Sequence, residues 1–185
     1  MTAAPQTKPP REFMPAGLAV ITISDTRSVA DDKSGDTLAD RITKSGHHLV
    51  DRQIVRDEVR LIRNAVRKLV KRRDVDVIIT TGGTGLTGRD VTIEALRPLF
   101  DKEIEGFGVV FHLVSFAKIK TSTMQSRATA GVVGGTYVFC LPGSPGACRD
   151  GWDEILVHQL DYRHHPCNFI EIMPRLEEHL RRVKG

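Results

Sequence analysis

Short apolar runs alternate along this chain with longer segments in which apolar residues recur at every third or fourth position. The runs are rich in β-branched residues, which is typical of buried strands. Helical spacing is clearest in residues 57–70, where the apolar side chains fall on one face. The pattern predicts strands at 18–23, 48–55, 75–81 and 136–141, and helices at 34–45, 57–70, 92–100, 106–116, 124–132, 147–158 and 175–183.

This alternation determines the fold class that we expect. Strands separated by helices need crossover connections, which produce a mostly parallel sheet with helices on both faces. We therefore expect an α/β fold, a three-layer α/β/α sandwich around a mostly parallel sheet. No shift in composition divides residues 16–185, which we expect to form one domain, and the proline-rich residues 1–15 are expected to be a flexible tail. Ser34 is expected to cap the first helix, and the helix at 106–116 is expected to be buried.

Composition and charge narrow the class of protein further. Apolar residues make up 40% of the chain and charged residues 27%, which excludes collagen-like, coiled-coil and wholly disordered proteins. The net charge of +4 is too small to indicate nucleic-acid binding by itself. No apolar run reaches the roughly 18 residues of a membrane span, so no membrane partner is expected. Cys140, Cys148 and Cys167 cannot all pair within one chain, which indicates reduced thiols and a cytoplasmic location.

Three predicted strands end in unusual loops, at residues 24–27, 80–90 and 142–146. In an open parallel sheet the carboxyl ends of the strands meet at one edge, and ligands bind outside that edge. The loop at 80–85, Thr-Thr-Gly-Gly-Thr-Gly, has three glycines and no charged side chain. Such a loop lets backbone N–H groups approach an anion closely, so it favours a phosphate cradle. A tight turn between a strand and a helix is the alternative.

Two other interpretations of the glycine loop fit less well. Gly83, Gly85 and Gly88 match the spacing of the dinucleotide-binding fingerprint, but they follow the third predicted strand, and no strand ends in an acidic residue about 20 residues later. The Gly-Lys-Ser/Thr of a nucleoside-triphosphatase loop is absent. A dinucleotide-dependent oxidoreductase therefore stays a minor alternative.

Two aspartates accompany this loop at the same predicted edge. Asp57 follows the second strand, and Asp90 follows the glycine loop. Mg²⁺ in proteins is held by one or two carboxylates together with substrate phosphate oxygens. The pair is therefore a candidate magnesium site that acts on a phosphate substrate. Each aspartate equally suits the N-cap of the helix that follows it.

The remaining polar clusters favour ordinary positions. His47 and His48, and His-His-Pro-Cys at 164–167, lack the spacing of a zinc site. Residues 56–73 carry eight basic side chains against two acidic ones, with no aromatic residue interleaved to stack bases. A solvated helix face explains this segment, and no nucleic-acid partner is expected.

Several separate motifs occur in the order and spacing of a known family. They are Ile-Ser-Asp-Thr-Arg at 23–27, Asp-Lys-Ser-Gly at 32–35, Thr-Thr-Gly-Gly-Thr-Gly at 80–85, Arg-Asp-Val-Thr at 89–92, Glu-Gly-Phe at 105–107, Ser-Arg at 126–127 and Leu-Pro-Gly-Ser-Pro-Gly at 141–146. With them, residues 15–173 resemble the MoaB/MogA family of molybdenum cofactor biosynthesis proteins, and most of all its MoaB branch. The resemblance implies a molybdopterin-binding fold and assembly into homotrimers or hexamers.

The resemblance also implies a substrate and an activity. Characterised members of the family bind molybdopterin, and the catalytic ones adenylylate it with Mg²⁺ and ATP, releasing pyrophosphate. By motif, the implied catalytic and metal-binding residues are Asp57 and Asp90. The residues implied to bind the phosphate or the pterin are Thr81, Gly82, Gly83, Thr84, Gly85, Ser24, Asp25, Ser126, Arg127, Pro142, Gly143 and Ser144. The alternative is a molybdopterin-binding or carrier protein without turnover, because members of the MoaB branch are not all shown to be catalytic.

Overall fold

A six-stranded sheet forms the centre of the protein in a computed structural model that describes residues 10–178. The strands are β1 (Gly17–Ile23), β2 (His48–Val55), β3 (Val77–Thr81), β4 (Lys102–Glu103), β5 (Thr129–Val133) and β6 (Thr136–Leu141). Their order across the sheet is β2-β1-β3-β6-β5-β4. Strands β2, β1, β3 and β6 are mutually parallel. Strand β5 is antiparallel to β6, and β4 is antiparallel to β5. The prediction of a mostly parallel sheet is therefore confirmed.

Helices cover both faces of this sheet. They are α1 (Lys33–Lys44), α2 (Val59–Val70), α3 (Thr92–Leu96), α4 (Glu105–Ile119), α5 (Pro145–Gly151), α6 (Val157–Gln159) and α7 (Phe169–Ile172). A π-helical turn, Trp152–Leu156, joins α5 to α6. None of the helices in residues 10–178 is long and apolar enough to cross a membrane.

The side chains of β1 show how the sheet separates two apolar cores. All seven residues of this strand are buried, as expected for a central strand covered on both faces. Leu18 and Val20 pack into the core under α1, α4 and α5, whereas Ala19 and Ile21 pack into the core under α2 and α3. Successive side chains of a strand point to opposite faces, so one short apolar run supplies both cores. This is the predicted three-layer α/β/α arrangement.

The antiparallel edge of the sheet corrects one prediction. The expectation of a helix at 124–132 is wrong, because Thr129–Val133 forms β5 and Lys120–Gln125 forms a 3₁₀ helix. Gly134 and Gly135 connect β5 to β6 with φ of +53° and +81°. A two-residue hairpin loop needs this left-handed backbone, which glycine adopts without steric cost. The hairpin therefore pairs β5 with β6 and overrides the helical interpretation of a short apolar run.

Two helix details also differ from expectation. Asp32, not Ser34, is the N-cap of α1, because its carboxylate accepts a hydrogen bond from the N–H of Gly35. The helix expected at 106–116 exists as α4, but it is not buried as a whole. An apolar strip on its outer side is exposed, with Leu113 67% and Phe116 50% accessible.

Both ends of the described part of the chain, residues 10–178, contact the body of the domain. Residues 1–9 of the expected tail at 1–15 lie outside the described residues. Arg11 forms an ion pair with Glu171, and the ring of Phe13 lies 5.0 Å from that of His47. At the other end Met173–Arg175 forms a 3₁₀ helix, and residues 179–183 of the helix expected at 175–183 lie outside the described part.

Candidate functional site

The carboxyl ends of the four parallel strands meet at one edge of the sheet. Residues 24, 57, 82 and 142 follow β1, β2, β3 and β6 closely there. The connections from β1 and β3 run to opposite sides, since β2 lies beyond β1 and β6 lies beyond β3. Such a reversal of strand order opens a crevice in which α/β proteins bind ligands. The predicted convergence of the loops is therefore the geometry that the fold provides.

A cavity of about 410 Å³ occupies this crevice. Of the residues that the sequence singled out, Ser24, Asp57, Gly82, Gly83, Thr84, Gly85, Asp90, Ser126, Pro142 and Gly143 line it. Four other predicted residues do not line the cavity but form hydrogen bonds within its walls, namely Thr81, Asp25, Arg127 and Ser144. Arg27, Arg89 and Gln125 line the cavity without having been predicted. The acidic, basic and glycine-rich parts of the site thus share one pocket.

Gly82 and Gly83 lie so close to β1, α3 and Asp57 that no side chain fits on either of them. Gly82 has a φ of +102°, and a Cβ on it would lie 2.3 Å from the carbonyl oxygen of Ile23. Gly83 has a φ of +64°, and its Cβ would lie 2.3 Å from the Thr92 hydroxyl and 2.9 Å from a carboxylate oxygen of Asp57. Both the conformation and the space therefore require glycine at these positions.

Two threonines fix the path of the loop. The Thr92 hydroxyl donates to the carbonyl of Gly82 at 2.8 Å, and the Thr92 N–H donates to the carbonyl of Gly83 at 2.9 Å. The Thr81 hydroxyl, fully buried, donates to the carbonyl of Pro142 at 3.0 Å and lies 3.1 Å from the Cys148 sulfur. Thr81 therefore joins the loops after β3 and β6 instead of facing the cavity.

Asp57 is partly buried and faces the glycine loop. Burial raises the pKa of its carboxyl, and repulsion from the carboxylates of Asp25 and Asp90 adds to the rise. It does not cap α2, because Glu58 occupies the N-cap position. The negative charge of Asp57 is therefore disfavoured by burial first and by two neighbouring carboxylates second.

Asp90 holds the turn that follows the glycine loop. Its carboxylate accepts hydrogen bonds from the N–H of Thr87 at 2.9 Å and from the hydroxyl of Thr87 at 2.6 Å. Burial raises the pKa of Asp90, but the bonds from Thr87 and the charge of Arg127 outweigh burial and lower it overall. Val91 is the N-cap of α3, so Asp90 is not a helix cap either.

Asp25 and Arg127 do not line the cavity, but they form hydrogen bonds with residues that do. The Arg89 guanidinium donates two hydrogen bonds to one oxygen of Asp25, at 2.9 and 2.6 Å, and lowers the pKa of that carboxyl. The other Asp25 oxygen accepts the N–H of Asp57 at 3.2 Å. Arg127 donates to the carbonyls of Thr84 and Asp90, both at 3.1 Å, so it braces the glycine loop from the side of β5.

The loop after β1 is shaped by Ser24. Its hydroxyl accepts the N–H groups of Thr26 and Arg27, at 3.3 and 3.2 Å. The Arg27 side chain, which follows this turn, lines the cavity and donates to the carbonyl of Gly143 at 2.7 Å. On the opposite wall Ser144 is the N-cap of α5, with its hydroxyl accepting the N–H of Ala147. Arg27 was not predicted to be a site residue. The sequence motif contains it, but a motif does not show which of its residues have side chains that point into the cavity.

Histidines and cysteines do not contribute a metal centre. Among residues 10–178, no three His, Cys, Asp or Glu side chains are grouped so that they could hold a metal ion. Cys140 and Cys148 are buried, and burial raises the pKa of the Cys148 thiol to about 11, so it is not a nucleophile at neutral pH. All three cysteines are unpaired.

Comparison with known proteins gives a consistent result. The profile of a family described as "Probable molybdopterin binding domain" matches residues 19–162. Molybdenum cofactor biosynthesis protein B of Escherichia coli K12 is 50% identical over 158 residues, which cover 85% of this chain and 93% of that protein. The protein of the same name from Bacillus cereus is 44% identical over 144 residues, 77% of this chain and 85% of that protein.

Solved structures agree with the sequence relatives. A crystal structure of molybdenum cofactor biosynthesis protein B superimposes with a TM-score of 0.80 at 38% identity, covering 92% of this chain and 99% of that one. The tungsten cofactor synthesizing protein MoaB from Pyrococcus furiosus superimposes with a TM-score of 0.69 at 35% identity, over 90% of this chain and 98% of that one. The chain belongs to the MoaB/MogA family of molybdenum cofactor biosynthesis proteins.

Proposed function

We propose that this protein binds molybdopterin and transfers the adenylyl group of ATP to its terminal phosphate, releasing pyrophosphate. The observation that carries this proposal is the pocket at the sheet edge, where Asp57 and Asp90 lie beside the glycine loop. A protein that only bound an anion would need the loop, but it would not need two carboxylates next to it. The acidic pair therefore favours chemistry on a phosphate over simple binding.

The reaction needs positioning more than it needs a base. A terminal phosphate oxygen of molybdopterin forms a bond to the α-phosphorus of ATP, and the bond from that phosphorus to the bridging oxygen breaks, so pyrophosphate leaves. The attacking phosphate is already ionised at neutral pH. This agrees with the absence of a lowered-pKa cysteine or a histidine from the described lining of the cavity. Holding both anions in line would supply most of the rate enhancement.

The chain's own groups suit this task. The backbone at 82–85 is free of side chains on its glycines, so N–H groups can approach phosphate oxygens. Ser24 and Ser126 add hydroxyl groups to the lining, and Pro142 and Gly143 form the facing wall. We infer that the loop cradles phosphate and that the walls orient the pterin and the nucleotide.

Magnesium fits the acidic part of the pocket. Two carboxylates are too few for a site made by protein alone, but Mg²⁺ takes its remaining ligands from substrate phosphates and water. Burial and the charges of Asp25 and Asp90 raise the pKa of Asp57. A bound cation would stabilise the ionised form of this carboxyl. Asp57 and Asp90 would hold the ion, which would supply neutralisation of charge on the phosphates.

Pyrophosphate release from the purified protein tests the proposal. We expect release only when molybdopterin, ATP and Mg²⁺ are all present. Replacing both aspartates, in Asp57→Asn with Asp90→Asn, should lower turnover by about a hundredfold or more, because charge neutralisation is lost, while molybdopterin binding changes little. Asp40→Asn, an exposed aspartate of α1 paired with Lys44, is the matched control and should leave turnover unchanged.

The alternative of a carrier protein predicts a different result. A carrier would bind molybdopterin without releasing pyrophosphate under any combination of substrates. Turnover that survived the double aspartate replacement would instead refute the roles of Asp57 and Asp90 as metal ligands. A cytoplasmic location, expected from the unpaired cysteines, stays part of the proposal.

We also propose that the protein is a homo-oligomer, a trimer or a hexamer, assembled through the outer face of α4. This face comprises Val109, Val110, Leu113, Phe116 and Ile119, with Met124 beside it, and these side chains are 44–75% accessible. An exposed apolar patch of this kind marks a protein contact. A second copy of the chain is the occupant that the family resemblance implies.

Light scattering on a sizing column tests this assembly. Leu113→Lys should convert the oligomer to monomers, because a buried unpaired charge costs about 3–5 kcal/mol. Val29→Lys, an apolar residue that is 77% accessible but far along the chain from α4, is the control and should leave the mass unchanged. A monomeric wild-type protein would contradict the proposal outright.

A further inference from the structure

The two arginines that line the pocket are held in different ways. Arg89 gives two hydrogen bonds to the carboxylate of Asp25, so its charge is already neutralised within the protein. Arg27 donates instead to neutral acceptors, the Ser34 hydroxyl at 2.5 Å and the Gly143 carbonyl at 2.7 Å. Of the two, only Arg27 makes no hydrogen bond to a carboxylate within residues 10–178, and its ion-pair partner Asp32 lies 3.9 Å away.

Arg27 also keeps unused donors. A guanidinium has five N–H groups, and Arg27 uses one on each terminal nitrogen. Three N–H groups therefore have no hydrogen-bond partner in the part of the chain that the structure describes. The side chain is 31% accessible and lines the cavity, so these donors can reach a bound molecule.

A buried network holds Arg27 in this place. Asp32 is fully buried, and its carboxylate lies 3.9 Å from Arg27, too far for a hydrogen bond. It is occupied by other donors, namely Thr22 at 2.8 Å, the N–H of Gly35 at 2.9 Å and Arg52 at 2.9 Å. The same carboxylate orients Ser34, whose hydroxyl lies 3.3 Å away. Asp32 thus fixes the acceptor that positions Arg27, and its ion pair with Arg27 takes up none of the guanidinium N–H groups.

We propose that Arg27 forms an anion subsite of the pocket and binds a phosphoryl oxygen through the N–H groups that the protein leaves unpaired. Planar guanidinium groups match phosphate geometry with two parallel hydrogen bonds, which a lysine ammonium cannot do. The inference rests on the proposed function, which names two molecules that could supply this phosphoryl oxygen. They are molybdopterin, through its phosphate monoester, and ATP, through its triphosphate.

Binding measurements on the full-length protein separate these sources. We expect Arg27→Met to weaken the binding of one phosphate ligand by about tenfold or more, because a charge-assisted contact is lost. Arg27→Lys should recover part of that loss, since it keeps the charge but not the fork. Selective weakening of ATP binding assigns the subsite to the nucleotide, and selective weakening of molybdopterin binding assigns it to the pterin phosphate. Both results support the inference.

Two further variants separate ligand contact from structural support. Arg41→Met removes an arginine of α1 that pairs with Asp153, and it should leave both affinities unchanged. Ser34→Ala removes the acceptor of Arg27, and it should weaken the same ligand as Arg27→Met, by about two- to fivefold. Arg27→Met should raise the KM for that ligand and leave kcat nearly unchanged, whereas a misfolded protein would lose both, as its circular dichroism would show.

Inorganic pyrophosphate makes the outcome independent of the proposed function. If the wild type binds neither ATP nor molybdopterin, the proposed function fails. The subsite is still supported when pyrophosphate binds and Arg27→Met weakens it. The inference is overturned if the wild type binds these phosphates and Arg27→Met binds all of them with the same affinity. It is also overturned if the wild type binds none of the three ligands, that is pyrophosphate, ATP and molybdopterin.

Discussion

The two ends of the pocket are built by different means. The acidic end consists of Asp57, Asp90 and the glycine loop at 82–85, and its shape comes from backbone conformation. Gly82 and Gly83 have positive φ, and any Cβ there would meet an atom at 2.3 Å. The basic end consists of Arg27, Ser34 and Gly143, and its shape comes from side-chain hydrogen bonds.

This difference teaches how each end responds to change. Backbone at the acidic end is packed against β1 and α3, so an added atom must displace whole elements. The basic end is a chain of side-chain contacts from Asp32 through Ser34 to Arg27, and conservative substitutions would alter it by degrees. We therefore expect the acidic end to fail abruptly and the basic end to weaken gradually.

The largest effect should come from a methyl group on the glycine loop. In Gly83→Ala the Cβ would lie 2.3 Å from the Thr92 hydroxyl, on a backbone with φ of +64°. The strain should cost about 1–3 kcal/mol of stability, and displacement of Asp57 and the loop should reduce pyrophosphate release by about a hundredfold. Urea unfolding and the pyrophosphate assay measure the two consequences.

Gly88 supplies the matched control in the same loop region. A Cβ on Gly88 would have no atom within 4 Å, so Gly88→Ala should leave stability and turnover close to those of the wild type. Equal losses of stability and turnover in Gly83→Ala and Gly88→Ala would show that the loss does not depend on the contacts of the Cβ. The proposed difference between the two ends of the pocket would then be wrong.

A smaller effect should distinguish the two aspartates of the acidic end. Burial and neighbouring carboxylates raise the pKa of Asp57, so its contribution to stability is full below the ordinary value of 3.8 and is lost as the pH rises through the raised pKa. The pKa of Asp90 is lowered overall, since hydrogen bonds from Thr87 outweigh burial. Its contribution is present above 3.8 and is lost as the pH falls through the lowered pKa.

Only one of the two Asn variants should therefore lower the melting temperature. At pH 7 and without ligands, Asp57→Asn should leave Tm unchanged or raise it, whereas Asp90→Asn should lower it by roughly 2–4 °C. The deficit of Asp90→Asn should shrink as the pH falls below 3.8. Calorimetry from pH 3 to pH 7 measures this, and a loss of Tm in Asp57→Asn equal to that in Asp90→Asn would contradict the assignment.

The parallel part of the sheet was predictable because its signals are local. Strands at 18–23, 48–55 and 136–141 coincide with β1, β2 and β6 to within one residue, since each is an apolar run bounded by turn residues. Their loops then had to share one edge of the sheet. Most of the predicted lining followed from that topological argument and from the motif order.

The antiparallel edge was harder to predict. Residues 129–133 form a run too short to distinguish strand from helix by periodicity. The Gly-Gly pair at 134–135, between two apolar runs, is the hairpin signal that would have identified β5. For α4, an apolar pattern on all sides is typical of burial within one chain, and it cannot show that one side of this helix is exposed.

The sequence alone determined the four parallel strands and most of the helices, the edge where a ligand would bind and the family, but not the antiparallel strands β4 and β5. These follow from local patterns and from motifs that are contiguous along the chain. Only the tertiary structure decided which side chains face the cavity. Asp25 turns to Arg89, Thr81 to Pro142 and Arg27 into the pocket, because those directions depend on partners distant in sequence. A motif specifies which residues are present, whereas long-range packing and hydrogen bonds determine where each one points.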